Sequence, residues 1–264
     1  SCLMDIDEEG TIVNHEICET VICVDRRMTY TMVADILDGA EAPEEYKDFV
    51  DDFKLMKQLS DLLRKKRSGR GAIDFDFPES KIILDEKGRP IDIKAYEHSA
   101  ATRLIEDFML LTNETIAEEY YWLELPFVYR IHETPDEEKL RTFATFLNNF
   151  GYSLHLINHT IHPKELQKLL SRIEGSEAEG LISRILLRST KQAKYSPENL
   201  GHFGLSAKYY CHFTSPIRRY PDLQIHRIIK EQLHGTLSKS RQEHYEHILP
   251  SVCDSSSKLE RRAD

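Results

Sequence analysis

The stretch that most constrains this chain is residues 209–230, Tyr-Tyr-Cys-His-Phe-Thr-Ser-Pro-Ile-Arg-Arg-Tyr-Pro-Asp-Leu-Gln-Ile-His-Arg-Ile-Ile-Lys. It sets His212, Arg218, Arg219, His226 and Arg227 among Tyr209, Tyr210, Phe213 and Tyr220. Pro216 and Pro221 bracket the arginine pair. Proline fixes φ and pushes the residue before it towards extended backbone. Ser215 and Tyr220 are therefore expected to be extended, with Arg218 and Arg219 on a stiff turn. Pro221 suits the first position of a helix running to about His234, with Gly235 as its stop. Two guanidiniums just ahead of a helix N-terminus make a phosphate site. Their forks bind oxyanions bidentately, and the helix dipole adds positive potential. The same residues admit a plainer reading, a structural turn whose arginines pair with carboxylates elsewhere.

Charge decides how general such a site can be. The net charge of −10 argues against a general polyanion binder but leaves room for a local basic channel. The 264 residues suffice for one large domain or two small ones, and 40% apolar with 30% charged residues is ordinary for a soluble globular protein. No apolar run approaches the roughly 20 residues needed to span a bilayer, and no signal peptide pattern opens the chain. The five cysteines lie at scattered spacing without a Cys-x-x-Cys pair, so neither a disulfide framework nor a structural zinc is expected. A cytoplasmic protein without membrane contact follows. The chain opens on Ser-Cys-Leu-Met without an initiator Met, and it closes on Leu-Glu-Arg-Arg-Ala-Asp without a helix stop. An excised piece of a longer protein is therefore expected.

Residues 3–7 and 11–24 interleave charges with β-branched and apolar residues around a turn at Glu9-Gly10, which predicts a hairpin. Met28-Thr29-Tyr30-Thr31-Met32-Val33 leads into a short helix ending near Gly39, with Tyr30 at its start. On pattern alone Tyr30 is a half-buried tyrosine. Tyr46, Phe49, Val50, Phe53, Met56, Leu59 and Leu63 recur at helical spacing. That helix ends in Arg64-Lys65-Lys66-Arg67-Ser68-Gly69-Arg70, whose charges either complement the dipole or face a polyanion. A hairpin over 81–96 turns at Glu86-Lys87-Gly88-Arg89. A helix from about 99 to 121 sets Glu106, Asn113 and Ala117 on one face, able to hold a ribose hydroxyl or a neighbouring arginine. Residues 127–132 alternate as a strand. Thr134-Pro135-Asp136-Glu137 reads as a capping box with proline at the first helical position, Pro163 opens a further helix, and Ser176-x-x-Glu179 caps a third. Residues 196–211 return to the sheet, and 236–264 are helical. The fold class is α/β (α+β), one domain over 1–264 with a mixed twisted sheet surrounded by helices. No internal repeat, Walker loop, dinucleotide fingerprint or His-Glu-x-x-His occurs.

Five blocks together resemble the RNB exoribonucleases, the family typified by bacterial ribonuclease R. They are the 209–230 stretch, Ser-Pro-Glu-Asn-Leu-Gly-His-Phe-Gly-Leu at 196–205, Gly-Ala-Ile-Asp-Phe-Asp-Phe-Pro-Glu at 71–79, Leu-Ile-Glu-Asp-Phe-Met-Leu-Leu-Thr-Asn-Glu at 104–114 and Tyr-Arg-Ile-His-Glu-Thr-Pro at 129–135. The resemblance runs from about Leu3 to Asp264. It implies a processive 3′→5′ exoribonuclease that hydrolyses single-stranded RNA to nucleoside 5′-monophosphates with magnesium. By the same resemblance Arg218 stabilises charge on the scissile phosphate and Arg219 clamps the backbone. Tyr30 and Phe75 stack on or fence the last nucleotides, a sequence-tolerant contact. Glu106 positions the terminal nucleotide, and His212 and Glu260 complete the RNA-binding set. The plain readings remain a core phenylalanine for Phe75 and a Glu–Arg pair for Glu106.

The family's metal-binding run, of the type Asp-x-x-Asp-x-Asp-Asp, belongs before the first block and does not occur in this sequence. Asp74 and Asp76 share one side of a strand, but the family's metal cluster lies elsewhere, so they are not taken as ligands. The cold-shock-type and C-terminal OB-type domains are absent as well. The expectation is a partial RNB catalytic domain, inactive alone, from a monomeric parent enzyme. Two other classes stay open, a non-catalytic RNA-binding RNB relative and a small-nucleotide phosphohydrolase.

Overall fold

The structure, a computed structural model, describes residues 1–73, 79–96, 98–154 and 161–263. In chain order the elements are β1 (Cys2–Ile6), β2 (Ile12–Ile17), α1 (Tyr30–Leu37), a 3-10 turn (Glu44–Phe49) and α2 (Val50–Arg70). Next come β3 (Glu79–Leu84), β4 (Pro90–Tyr96), α3 (Ala100–Trp122), β5 (Tyr129–Ile131), α4 (Glu137–Asn148) and α5 (Pro163–Ile173). The chain finishes with α6 (Glu179–Ser189), β6 (Lys194–Ser196), α7 (Tyr220–Leu233) and α8 (Lys239–Ala263), which carries Pro250 in its interior. It divides into two compact units, one of Ser1–Val21, Lys65–Asp74 and Met109–Asp264, the other of Ile22–Arg64 and Phe75–Phe108.

The expected mixture of helix and strand is present, at 53% helical and 11% strand. Among the described residues the strands form three separate two-stranded antiparallel ladders, β1 with β2, β3 with β4 and β5 with β6, where one mixed sheet was expected. The reason lies in the lengths. β5 and β6 keep three residues each, and past them the chain satisfies its backbone through loop bonds, such as the His132 N–H donating to the Gly201 carbonyl at 3.0 Å. In β3 and β4, Ile82 lies opposite Ile93, and Ile82, Leu84, Ile91 and Ile93 are each more than half exposed.

In the smaller unit, Thr29 caps α1 as its hydroxyl accepts the Met32 N–H, and Val33, Ala34 and Ile36 pack with Tyr46, Phe53 and Ala101. In the larger unit the core gathers Ile116 and Tyr120 of α3, Phe127 and Ile131, Ile225 and Ile228 of α7, and Tyr245 and Leu249 of α8. Tyr120 stacks on Phe127 at 4.7 Å between centroids. Burying side chains of this size contributes about 1.5–3 kcal/mol each before entropy is counted.

Two predicted caps differ. α4 begins two residues late, behind Asp136, whose carboxylate pairs with Lys191 at 3.2 Å instead of capping. α6 begins behind Ala178, and Glu179 reaches back to the Gly175 N–H at 2.7 Å, one residue before the expected partner Ser176. At α7 the extended residue is Arg219, and Tyr220 already belongs to the helix.

A layer of rings lies in the larger unit. His132 meets His202, His202 meets Tyr210, Tyr210 meets His212 and His212 meets Tyr195, all near edge-to-face with centroids 5.2–5.7 Å apart. Burial pushes His202 down to about 3 and His212 down to about 2, with His132, Arg219, Arg130 and Arg218 adding repulsion. Both rings stay neutral in the folded chain while the unfolded chain protonates them below about 6.5. Their stabilising contribution is complete above that pH and drains away as pH falls towards their folded values. Between pH 7 and 5.5 each should cost roughly 1 kcal/mol. Urea unfolding at several pH values checks this, with His212→Gln expected to flatten the profile; a midpoint independent of pH would count against it.

Asn113 of α3 is fully buried. Its Oδ1 accepts the Phe213 N–H at 3.0 Å, its Nδ2 donates to the Tyr210 hydroxyl at 3.3 Å, and its carbonyl accepts from the Cys211 thiol at 3.3 Å. Asn113→Ala should destabilise the chain by about 2–4 kcal/mol, because it strands a buried N–H and opens a cavity. The shift in urea midpoint measures this.

Candidate functional site

The turn ahead of α7 is built around one carboxylate. Asp222 sits in the first turn of the helix with its side chain fully out of solvent. Its Oδ2 accepts the Ser215 N–H at 2.8 Å, Arg219 Nε at 3.1 Å and Arg219 Nη2 at 2.7 Å. The Ser215 carbonyl accepts the N–H of Arg218 at 3.3 Å and of Arg219 at 3.0 Å, which closes the turn. Burial raises the Asp222 pKa, while the Arg219 fork and the Ser215 N–H oppose that shift. Arg218 is left exposed on the outside of the turn, and its side chain has no partner among the described residues. Thus the plain reading, arginines paired with a carboxylate, holds for Arg219 and not for Arg218.

Beneath the turn the chain is held by ring stacking. His226 Nε2 lies 2.9 Å from the Phe213 carbonyl, and its ring stacks on Phe213 at 4.2 Å. His212 Nδ1 is 2.9 Å from the Tyr195 hydroxyl. The Arg130 guanidinium lies 4.7 Å over the Tyr195 ring and donates to Glu260 at 2.6 Å. Glu260, Arg130, Tyr195 and His212 therefore form one connected brace from α8 to the loop before the turn. The Gly-His-Phe-Gly block at 201–204 lies against β5. Gly201 has φ +73, and a Cβ there would stand 3.1 Å from the Ala207 carbonyl oxygen; a Cβ on Gly204 would stand 3.1 Å from His132 Nδ1. Only glycine fits both places without displacement.

The expected site residues fall in two groups. Arg218, Arg219, His212 and Glu260 belong to the larger unit. Tyr30 and Glu106 belong to the smaller one. Tyr30 opens α1 and is half exposed; Glu106 of α3 stands 3.8 Å from Arg64, whose guanidinium also reaches the buried Asp107 at 3.3 Å. Phe75 lies outside the described residues, as do Asp74 and Asp76. In the basic run that ends α2, Lys66 donates to the Gly10 carbonyl at 2.9 Å and Arg70 to Glu114 at 2.7 Å, so both have partners within the chain. Sequence reading missed Asp222 and Arg130, and it set Asn113 on a face with Glu106 to hold a ribose hydroxyl or an arginine, whereas Asn113 is buried and bonded to Tyr210 and Phe213. Asp222 was within reach, as an acid three residues after Arg219 in a first helical turn; Arg130 and the partners of Asn113 depend on contacts distant in sequence, which give no local signal.

Among the described residues no group of three or more His, Cys, Asp or Glu side chains could hold a metal ion, so a magnesium site does not fit them. None of their helices is long and apolar enough to cross a membrane.

A family model described as the RNB domain matches residues 1–235. Ribonuclease R 1 of Lactococcus lactis is 44% identical over 264 residues, 100% of this chain and 32% of that protein. Ribonuclease R of Thermotoga maritima is 40% identical, over 99% of this chain and 37% of that protein. The chain thus spans about a third of the length of the curated relatives it matches. The structure of Mycoplasma genitalium RNase R in complex with ribose methylated single-stranded RNA is similar with a TM-score of 0.93 at 27% identity, covering 98% of this chain and 41% of that one. With a family match over most of its length and relatives this close, the chain belongs to the RNB domain family.

Proposed function

We propose that this chain is the RNA-gripping part of a 3′→5′ exoribonuclease that hydrolyses single-stranded RNA to nucleoside 5′-monophosphates with magnesium. The observation that carries the reading is the turn ahead of α7. One arginine is locked inside by a buried carboxylate, and its neighbour, Arg218, is held outward just before a helix N-terminus. A guanidinium so placed fits the non-bridging oxygens of a phosphodiester. Similar Mycoplasma genitalium structures were solved with single-stranded and with double-stranded RNA, which supports RNA as the ligand; the single strand is part of the proposal.

In this reading Arg218 acts most strongly when negative charge grows on the phosphate, so it lowers the barrier more than it tightens binding. Tyr30 offers a half-exposed ring for stacking, and Phe75 is assigned the same task. Glu106, shared with Arg64, orients the terminal nucleotide. His212 is neutral and tied to Tyr195, and Glu260 is tied to Arg130, so these two brace the site and carry no free charge to RNA. A magnesium ion would supply the attacking hydroxide, but the described residues do not hold it and no step of theirs depends on it.

Two measurements test the proposal. Incubated with magnesium and 3′-labelled single-stranded RNA, the 264-residue chain alone should release no mononucleotide. Processive release that survives removal of contaminating nucleases would sink the assignment of an incomplete catalytic set. In the longer protein, Arg218→Ala should raise the barrier by about 3–4 kcal/mol, on the order of a hundred- to a thousandfold in single-turnover rate. Arg218→Lys should recover only part, because a point charge lacks the planar fork. A variant that loses affinity but keeps its single-turnover rate would show Arg218 to be a clamp only.

A further inference from the structure

We propose that Asp222 is the positioning residue of the phosphate-contacting turn, and that Arg219 works through Asp222 rather than on RNA. The inference rests on the reading that Arg218 meets the phosphate. It starts from where the donors go. A single oxygen, Oδ2, collects a backbone N–H from residue 215 and two N–H groups from residue 219. These residues are the two ends of the turn that carries Arg218, and the Ser215 carbonyl ties back to both arginine N–H groups. The turn is therefore closed twice, once through its own backbone and once through the carboxylate. Arg218 is the charged residue between these clamps, and its side chain is exposed, as is that of Ile217 beside it.

The charges support the same division. The Asp222 side chain is fully buried, and Arg219 keeps only 16% of its side chain exposed. A buried carboxylate needs its cation, and a guanidinium spending Nε and Nη2 on one oxygen has committed its side edge, which leaves only the Nη1–Nη2 end of a largely buried side chain for any other acceptor. Asp222 Oδ1 and the neighbouring Thr214 hydroxyl are both buried without a partner among the described residues. The anchor therefore stands on the Oδ2 contacts alone, and weakening them leaves the turn closed only by its own backbone. Removing the charge of Asp222 frees Arg219 to meet RNA, so affinity should not fall; what suffers is the aim of Arg218.

The test is single-turnover cleavage and equilibrium binding of single-stranded RNA by the longer protein, for Asp222→Asn, Arg218→Ala and the double variant. Asp222→Asn should slow cleavage at least tenfold while RNA affinity stays level or rises. In the Arg218→Ala background the same change should alter the rate less than twofold, because there is no longer a guanidinium to aim. A structural lesion would instead slow both backgrounds alike and lower affinity. Should Asp222→Asn fail to fold, Arg219→Lys carries the test. It keeps the charge, cannot place two N–H groups on one oxygen, and should show the same split between rate and affinity. Equal slowing in both backgrounds, or a rate within twofold of wild type, overturns the proposal for Asp222. A wild-type rate for Arg218→Ala overturns the reading of Arg218 beneath it, an outcome separate from the first.

Discussion

A carboxylate taken wholly out of water has to be met by donors, and Asp222 is met by three on a single oxygen. The penalty for burying an ion is several kcal/mol, so the arrangement is stable only while all three donors stay in place. That demand reaches outward through the larger unit. It sets the start of α7 and the path of the chain at 215–219. It also fixes the distance between the helix N-terminus and the loop at 209–213, which Asn113 secures from the other side. Two buried polar side chains, one on α3 and one on α7, thus hold a segment that has almost no regular structure of its own.

Net charge is a poor guide to such a molecule. The chain carries −10, yet many of its cations are committed internally. Lys66, Arg70, Arg130, Arg219 and Arg241 each satisfy a carbonyl or carboxylate of the same chain. The basic run at 64–70 was open to a dipole role or a polyanion role, and two of its cations, Lys66 and Arg70, are committed within the chain. What a phosphate would meet is decided by the arginines that packing leaves over, and Arg218 is one of these.

Much of this was legible in the sequence. Helical spacing located α2, α3 and α5, and Pro221 with Gly235 bounded α7, because these signals are local and their physics is backbone geometry. The blocks around Arg218 carried the family resemblance, which the RNB domain match over residues 1–235 bears out. Reading failed where a side chain had a choice of partners. Asp136 preferred Lys191 to its own helix, and Glu179 bonded one residue upstream of its expected mate. It placed His212 and Glu260 in the RNA-binding set without seeing their partners within the chain, for the same reason. Each titratable side chain looked free for a ligand, and each turned out to be joined to the other through Tyr195 and Arg130, residues far away in sequence.

The ribbon of β3 and β4 shows the opposite economy. Among the described residues it has two strands, and Ile82, Leu84, Ile91 and Ile93 lie open to water. Aliphatic side chains beside open strand edges are a template on which like segments add. By that physics a charge placed at any of these four positions would bear on the solubility of this chain, far in sequence from the Arg218 turn.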